Sequence, residues 1–335
     1  MKAIVFHAHG GIEQLQYEDF PDPQPGPEDV LVRVRAVALN GFEPMILNKT
    51  TALPTPLPMI PGGDIAGEIA ELGSAVDPTA WRIGDRVSIY PVVPEEGMTG
   101  ETRLGGCSEL VRIPARNLVK IPDELSDIDA AALPIAYGTA LRMMVSRGRV
   151  GLGESVLILG ATGGVGTACV QLAKLAGAEV IACGSADWKL AKLRDLGADH
   201  VIDSNQAELH KAVWALYGKP HMRQKTGGVD VIINFVGGDT WVPCLRALRP
   251  GGRMLTCGAS AGYATENDLR YIWTYELNIM GSNGWTMADQ AEMMAMVAKG
   301  KLRPVIHAVR PLQETPASIQ ELADRRVFGK IVLEP

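Results

Sequence analysis

Ser155-Val156-Leu157-Ile158-Leu159-Gly160-Ala161-Thr162-Gly163-Gly164-Val165-Gly166 decides how this chain folds. Its apolar run is short, and a glycine-rich turn ends it, so it reads as a buried strand. Residues 165–176 then carry an amphipathic helical pattern. A glycine turn that joins a strand to a helix has a chemical consequence. Small residues at Ala161, Gly163 and Gly166 let the backbone bend sharply and approach a diphosphate, and the first amides of the helix face the negative charge. Residues 155–173 carry no charge and approach the length of a membrane span, but Gly160, Gly163, Gly164 and Gly166 favour strand, turn and helix over a continuous span.

Downstream, the order alternates. Strands are predicted at 180–183, 200–202, 229–233, 253–257 and 277–280, and helices at 187–196 and 241–248. Pro250-Gly251-Gly252 is expected to stop the second helix. Repeated strand–helix units imply a doubly wound parallel sheet. Upstream, residues 2–6, 15–17, 30–38, 64–72 and 86–90 read as strands separated by turn clusters, which suits a compact β barrel or paired sheets. Ser126-x-x-Asp129 reads as a capped helix start, with helical residues over 130–144 interrupted at Pro134. Two further helices, 287–298 and 316–325, precede a closing strand at 330–333.

The 335 residues exceed one typical domain, and 47% hydrophobic with 21% charged residues supply sizeable cores. The net charge of −6 gives no overall attraction to nucleic acid or anionic membranes. Five isolated cysteines without a Cys-x-x-Cys pair, together with a start that lacks a long apolar run, lead to the expectation of a reduced, cytoplasmic protein. The second strand of the alternating region ends in Gly184-Ser185-Ala186 without an acid. Ser185, with Lys189 one short turn on, would admit a ribose 2′-phosphate where a carboxylate would repel it, so NADPH is expected over NADH.

The chain resembles the medium-chain dehydrogenases/reductases, and within them the zinc-free quinone oxidoreductase-like branch. The likeness rests on Val37-Ala38-Leu39-Asn40, Ile60-Pro61-Gly62-Gly63-Asp64-Ile65-Ala66-Gly67, Gly84-Asp85-Arg86-Val87 and Gly105-Gly106-Cys107-Ser108-Glu109. It continues through Ala130-Ala131-Ala132-Leu133-Pro134, the glycine turn, Leu196-Gly197-Ala198-Asp199 and Gly329-Lys330-Ile331-Val332-Leu333. The resemblance implies an α/β protein with a GroES-like catalytic domain over 1–136 and 285–335. A Rossmann dinucleotide domain over 137–284 is inserted into it.

By the same resemblance, Asn40 and Thr139 approach the nicotinamide, and Asn40 can donate to a substrate carbonyl. The proton that completes the product is left to water, Tyr137 or no specific group. Phe42, Met45 and Tyr90 belong to the substrate pocket, Met45 standing where the family often has tyrosine. Thr162, Gly164 and Val165 join the small residues of the turn as cofactor contacts. Phe235 and Val236 at one strand end, Cys257, Gly258 and Ala259 at the next, and Lys330 complete the set.

No metal is expected. Where zinc-dependent relatives place ligands, this chain has Asn40, Gly63 and a position on or near Ile135, and the region of their four-cysteine lobe holds only Cys107. Glu43 and Asp64 read as buried or cleft-lining polar groups. The expected activity is NADPH-dependent reduction of a small quinone, enone or similar activated carbonyl compound. A metal-dependent alcohol dehydrogenase and a non-catalytic nucleotide-binding scaffold are the alternatives. An apolar edge at residues 277–281 favours a homodimer.

Overall fold

The computed structural model describes residues 1–51 and 54–335, which divide into two compact units: Tyr137–Trp285, and Met1–Ala136 with Thr286–Pro335. The glycine turn lies in the first of these. Its sheet comprises β1 (Ser155–Ile158), β2 (Glu179–Gly184), β3 (His200–Asp203), β4 (Val229–Ile233), β5 (Leu248–Thr256) and β6 (Asn278–Gly281), all parallel. The spatial order is β3-β2-β1-β4-β5-β6. The chain moves outward from β1 in one direction and then returns to begin at β4, so a switch point opens beyond the carboxyl ends of β1 and β4.

All four residues of β1 are buried, as a strand covered on both faces requires. Leu157, Ile181, Ile232 and Met254 form the centre of the core. Helix α1 (Gly164–Leu175) buries Gly166, Ala168, Cys169, Val170, Leu172 and Ala173. Its approach is set by Gly166, where a β-carbon would lie 2.2 Å from the Gly160 carbonyl oxygen and 2.5 Å from the Ala161 Cα. Only glycine allows the helix to lie so close to the turn. Helix α2 (Asp187–Asp195) follows β2, α3 (Leu209–Tyr217) follows β3, and α4 (Trp241–Ala247) leads into β5.

One expectation needs correction here. Pro250-Gly251-Gly252 does not separate a helix from a later strand: β5 begins at Leu248, and the three residues sit within a bulge where its register against β4 shifts. Turn residues serve equally well in a bulge, because both need local backbone freedom and a missing ladder donor. Helix α3 has no counterpart in the sequence reading; it buries His210 and Val213 and packs Leu209, Ala212 and Tyr217 partly buried against the core.

The other unit is built on a largely antiparallel sheet, seven-stranded among the described residues. Its order is Ile306–Pro311, Lys330–Glu334, Asp29–Ala38, Asp64–Leu72, Arg86–Ile89 and Leu118–Lys120, with Leu110–Pro114 also paired to Asp29–Ala38. The closing strand pairs antiparallel with Asp29–Ala38 and parallel with Ile306–Pro311, so the C-terminus completes the sheet that the N-terminus began. Val32, Val37, Ile65, Ile69, Val87 and Ile331 are among its core residues. Ser126 caps the helix Asp127–Ala131 by accepting from the Asp129 amide. Among the described residues no helix is long and apolar enough to cross a membrane.

Gly166→Val is expected to lower stability by about 1–3 kcal/mol or more through overpacking against backbone that cannot yield. Urea unfolding measures it, and an unchanged midpoint would contradict the close approach.

Candidate functional site

The turn after β1 leaves a helix end without a cap. Gly163 is the N-cap of α1 and has no side chain to accept the first amides, so those of Gly164, Val165 and Gly166 lack intrahelical acceptors. Thr162, Gly163, Gly164 and Val165 retain exposure, whereas Ala161 and Gly166 are buried. Opposite them, across the switch point, Phe235 and Val236 follow β4. A β-carbon on Gly160 would be 2.8 Å from the Phe235 ring and 3.5 Å from Val236. The next loop is tied to this one, since Ser260 donates to the Phe235 carbonyl at 3.1 Å and Ala261 to that of Val236 at 2.7 Å. Cys257, Gly258 and Ala259 thereby lie beside Phe235 and Val236. Burial pushes the Cys257 thiol up to about 12, so it serves as a neutral wall.

At the end of β2, Ser185 is exposed and its carbonyl accepts from Asn205 Nδ2 at 2.7 Å. The Thr162 methyl lies near Gly184, which connects the glycine turn to this end. Lys189 is largely buried, and its Nζ lies 5.3 Å from the centre of the Trp188 ring, over which Lys192 is also placed. Uncapped amides, room for close backbone approach and a switch-point crevice fit a dinucleotide diphosphate.

Thr139 is nearly buried. Tyr137 is fully buried, and its hydroxyl accepts from Gln171 of α1 at 3.3 Å. That contact ties the Tyr137 ring to α1.

A second cluster forms in the other unit, where three strand ends meet. Ala38 is paired with Asp64 on one side and with Val332 on the other, and the Leu39 amide donates to Ile331. Asn40, just past the central strand, is thus flanked by Asp64 and Lys330, the first residues of their strands. Asn40 Nδ2 donates to Asp64 Oδ2 at 3.0 Å. Lys330 Nζ donates to Asn40 Oδ1 and to Asp64 Oδ2, the latter at 2.9 Å. The other Asp64 oxygen accepts the Ile135 amide at 2.8 Å. Side-chain exposure is 2% for Lys330 and 0% for Asp64, so one buried cation is balanced by one buried anion.

Glu43 lies beside this pair. Its Oε2 accepts the Asn40 amide at 2.7 Å, and its buried Oε1 has no partner among the described residues. Burial pushes its carboxyl up to about 8, against the opposing pull of Lys330. The sequence reading of Glu43 and Asp64 as buried or cleft-lining polar groups agrees with their burial, but it did not join them to Lys330. Their separation from Lys330 along the chain hid the cluster. Phe42 is partly buried against the core at the start of the short helix Glu43–Leu47, which carries Met45. Tyr90 is half-buried, its backbone paired with Asn117.

A zinc ion does not fit this cluster. Among the described residues no group of three or more His, Cys, Asp or Glu side chains is placed to hold a metal. A β-carbon on Gly63 would lie 2.8 Å from the Thr99 carbonyl oxygen and 3.1 Å from Ile135, leaving no space for a ligand side chain there. Burial and the nearby Glu43 push the Cys107 thiol well above its ordinary range.

Comparison with known proteins agrees with both units. The family model described as "Alcohol dehydrogenase GroES-like domain" matches residues 26–123, and that described as "Zinc-binding dehydrogenase" matches residues 164–299. Crotonyl-CoA reductase of Streptomyces avermitilis is 31% identical over 95% of this chain and 81% of its own. Quinone oxidoreductase of Pseudomonas aeruginosa is 31% identical over 100% of this chain and 99% of its own. A crystal structure described as an NAD-dependent alcohol dehydrogenase superposes with a TM-score of 0.90 at 33% identity, each chain covered in full. With a GroES-like domain and a Rossmann-type parallel sheet, the chain belongs to the medium-chain dehydrogenase/reductase superfamily.

Proposed function

We propose that the chain is a zinc-independent, NADPH-dependent reductase of quinones, enones or related activated carbonyl compounds. The observation that carries this reading is the Lys330 ammonium, held by Asn40 and Asp64 where a metal-dependent relative would need converging ligands. The names crotonyl-CoA reductase and quinone oxidoreductase support it, because both denote reduction of a conjugated acceptor.

The Tyr137–Trp285 unit serves as the nucleotide domain. Ala161, Thr162, Gly163, Gly164, Val165 and Gly166 receive the diphosphate, with Phe235, Val236, Cys257, Gly258 and Ala259 forming the adjoining wall. Ser185 and Lys189 face the adenosine 2′-phosphate, and Thr139 holds the carboxamide. The preference for NADPH rests on Ser185, just past β2, and Lys189 of α2. The fold neighbour described as NAD-dependent makes that choice worth measuring.

NADPH, when bound, supplies the hydride. The GroES-like unit supplies Asn40, whose Nδ2 donates to the oxygen on which negative charge develops as the acceptor is reduced. Phe42, Met45 and Tyr90 give the acceptor an apolar surface, and the balancing proton comes from solvent. Glu43 stays largely protonated at neutral pH, so the cluster carries no surplus negative charge that would oppose an oxyanion. Among the described residues strand β6 is paired on one side only, with Ile279 exposed, and we assign this edge to a homodimer contact.

Following NADPH absorbance with quinones, enones and aldehydes tests the reading: oxidation is expected with the first two. Tight binding without oxidation would favour a scaffold. Asn40→Ala is expected to lower kcat by roughly 10²-fold, as loss of one oxyanion donor does. Lys189→Glu is expected to raise the KM for NADPH more than that for NADH, and equal effects would remove its phosphate role. Because folding raises the Glu43 pKa from 4.5 to about 8, the folded chain binds the extra proton and this group's stabilising contribution is lost as pH rises through that window. Thermal unfolding from pH 5 to 8.5 should therefore show Glu43→Gln gaining on the wild type as pH rises. A constant difference would contradict an acid held neutral.

A further inference from the structure

An amide side chain presents either a donor or an acceptor to a substrate, depending on how it is turned, and the two orientations differ little in shape. At Asn40 the chemistry of the neighbours permits one. An ammonium can only donate, so Lys330 Nζ must face Oδ1; a carboxylate can only accept, so Asp64 Oδ2 must face Nδ2. The reverse orientation would set N–H against N⁺–H and carbonyl oxygen against carboxylate. The pair is itself immobilised: Asp64 accepts the Ile135 amide, and the Lys330 amide donates to the Val305 carbonyl at 2.8 Å. The Asn40 amide is also tied to Glu43. Asn40 keeps 8% exposure, and its second Nδ2 proton has no acceptor among the described residues.

We propose that Lys330 and Asp64 are positioning residues that lock the Asn40 carboxamide with its remaining N–H free to donate, making Asn40 a dedicated hydrogen-bond donor toward an anionic or carbonyl oxygen of the substrate. Lys330, expected from sequence resemblance to lie near the cofactor, thereby acts through Asn40. The role in turnover rests on the reading under Proposed function. The locked orientation does not. A substrate group that can only accept, such as a ketone, quinone or thioester carbonyl, is matched by this site, and one that must donate is rejected.

Removing Lys330 alone leaves Asp64 buried and unpaired, so Lys330→Met is paired with the neutral double variant Lys330→Met/Asp64→Asn, in which the fold is expected to recover. Two readouts are taken on protein labelled with ¹⁵N-asparagine. In the wild type, the two Nδ2 protons of Asn40, assigned by their loss in Asn40→Ala, should be widely separated in shift, because one is bound to a carboxylate. In the double variant they should converge. In single-turnover reactions with a quinone, hydride transfer from NADPH should slow by about tenfold or more in the double variant. The KM for NADPH should stay within about twofold, which separates lost orientation from lost cofactor binding.

An unchanged amide pair in the double variant would overturn the lock, and so would restoration of the wild-type transfer rate together with stability, since the pair would then be merely structural. Should the wild type bind no NADPH, the reading under Proposed function fails, and the amide shifts still decide the orientation.

Discussion

A lysine and an aspartate buried side by side impose the tightest constraint in the GroES-like unit. Taking two charges out of water costs several kcal/mol each, and the cost is offset only where geometry and extra hydrogen bonds are both good. Here the Lys330–Asp64 contact is backed by Asn40 and by the Ile135 amide. Meeting those demands fixes the register of the closing strand against Asp29–Ala38, and with it the seating of Lys330–Glu334 between two neighbours. A slip of one residue would turn Lys330 to the opposite face and leave Asp64 as a lone buried charge. Local chemistry and global topology therefore specify the same arrangement.

The nucleotide unit rests on the opposite kind of constraint, an absence of atoms. Gly166 lets α1 press against the turn, and Gly163 leaves the end of the helix uncapped. Gly166 carries a folding cost, since glycine within a helix gives up more conformational freedom than alanine. That cost is understandable where the helix end must stay open to a diphosphate. The central strands β1 and β4 beneath, almost wholly buried, hold the turn in place.

Much of the fold could be read from the sequence. Period-two alternation and turn clusters mark the strands at Asp29–Ala38 and Asp64–Leu72, and the strand–turn–helix around Gly160 marks the switch point. Local pattern failed where tertiary context decides. Pro250-Gly251-Gly252 carries the composition of a stop signal, yet the ladder on either side absorbs it as a bulge. The polar cluster was hidden for a different reason. Asn40 and Lys330 are separated by 290 positions, and no periodicity links them. Asp64 and Glu43, weighed as metal ligands, looked like a poor pair. Only the sheet register shows that one neutralises an ammonium and the other is held near neutrality by burial.

The proposed zinc independence rests on a resident lysine serving as the buried cation of this cluster. Elemental analysis of protein produced in zinc-supplemented medium, paired with turnover before and after dialysis against a chelator, tests it most directly. The account predicts far less than one zinc per chain and a turnover that the chelator does not change. About one zinc per chain, with activity lost on chelation and regained on adding zinc, would contradict it.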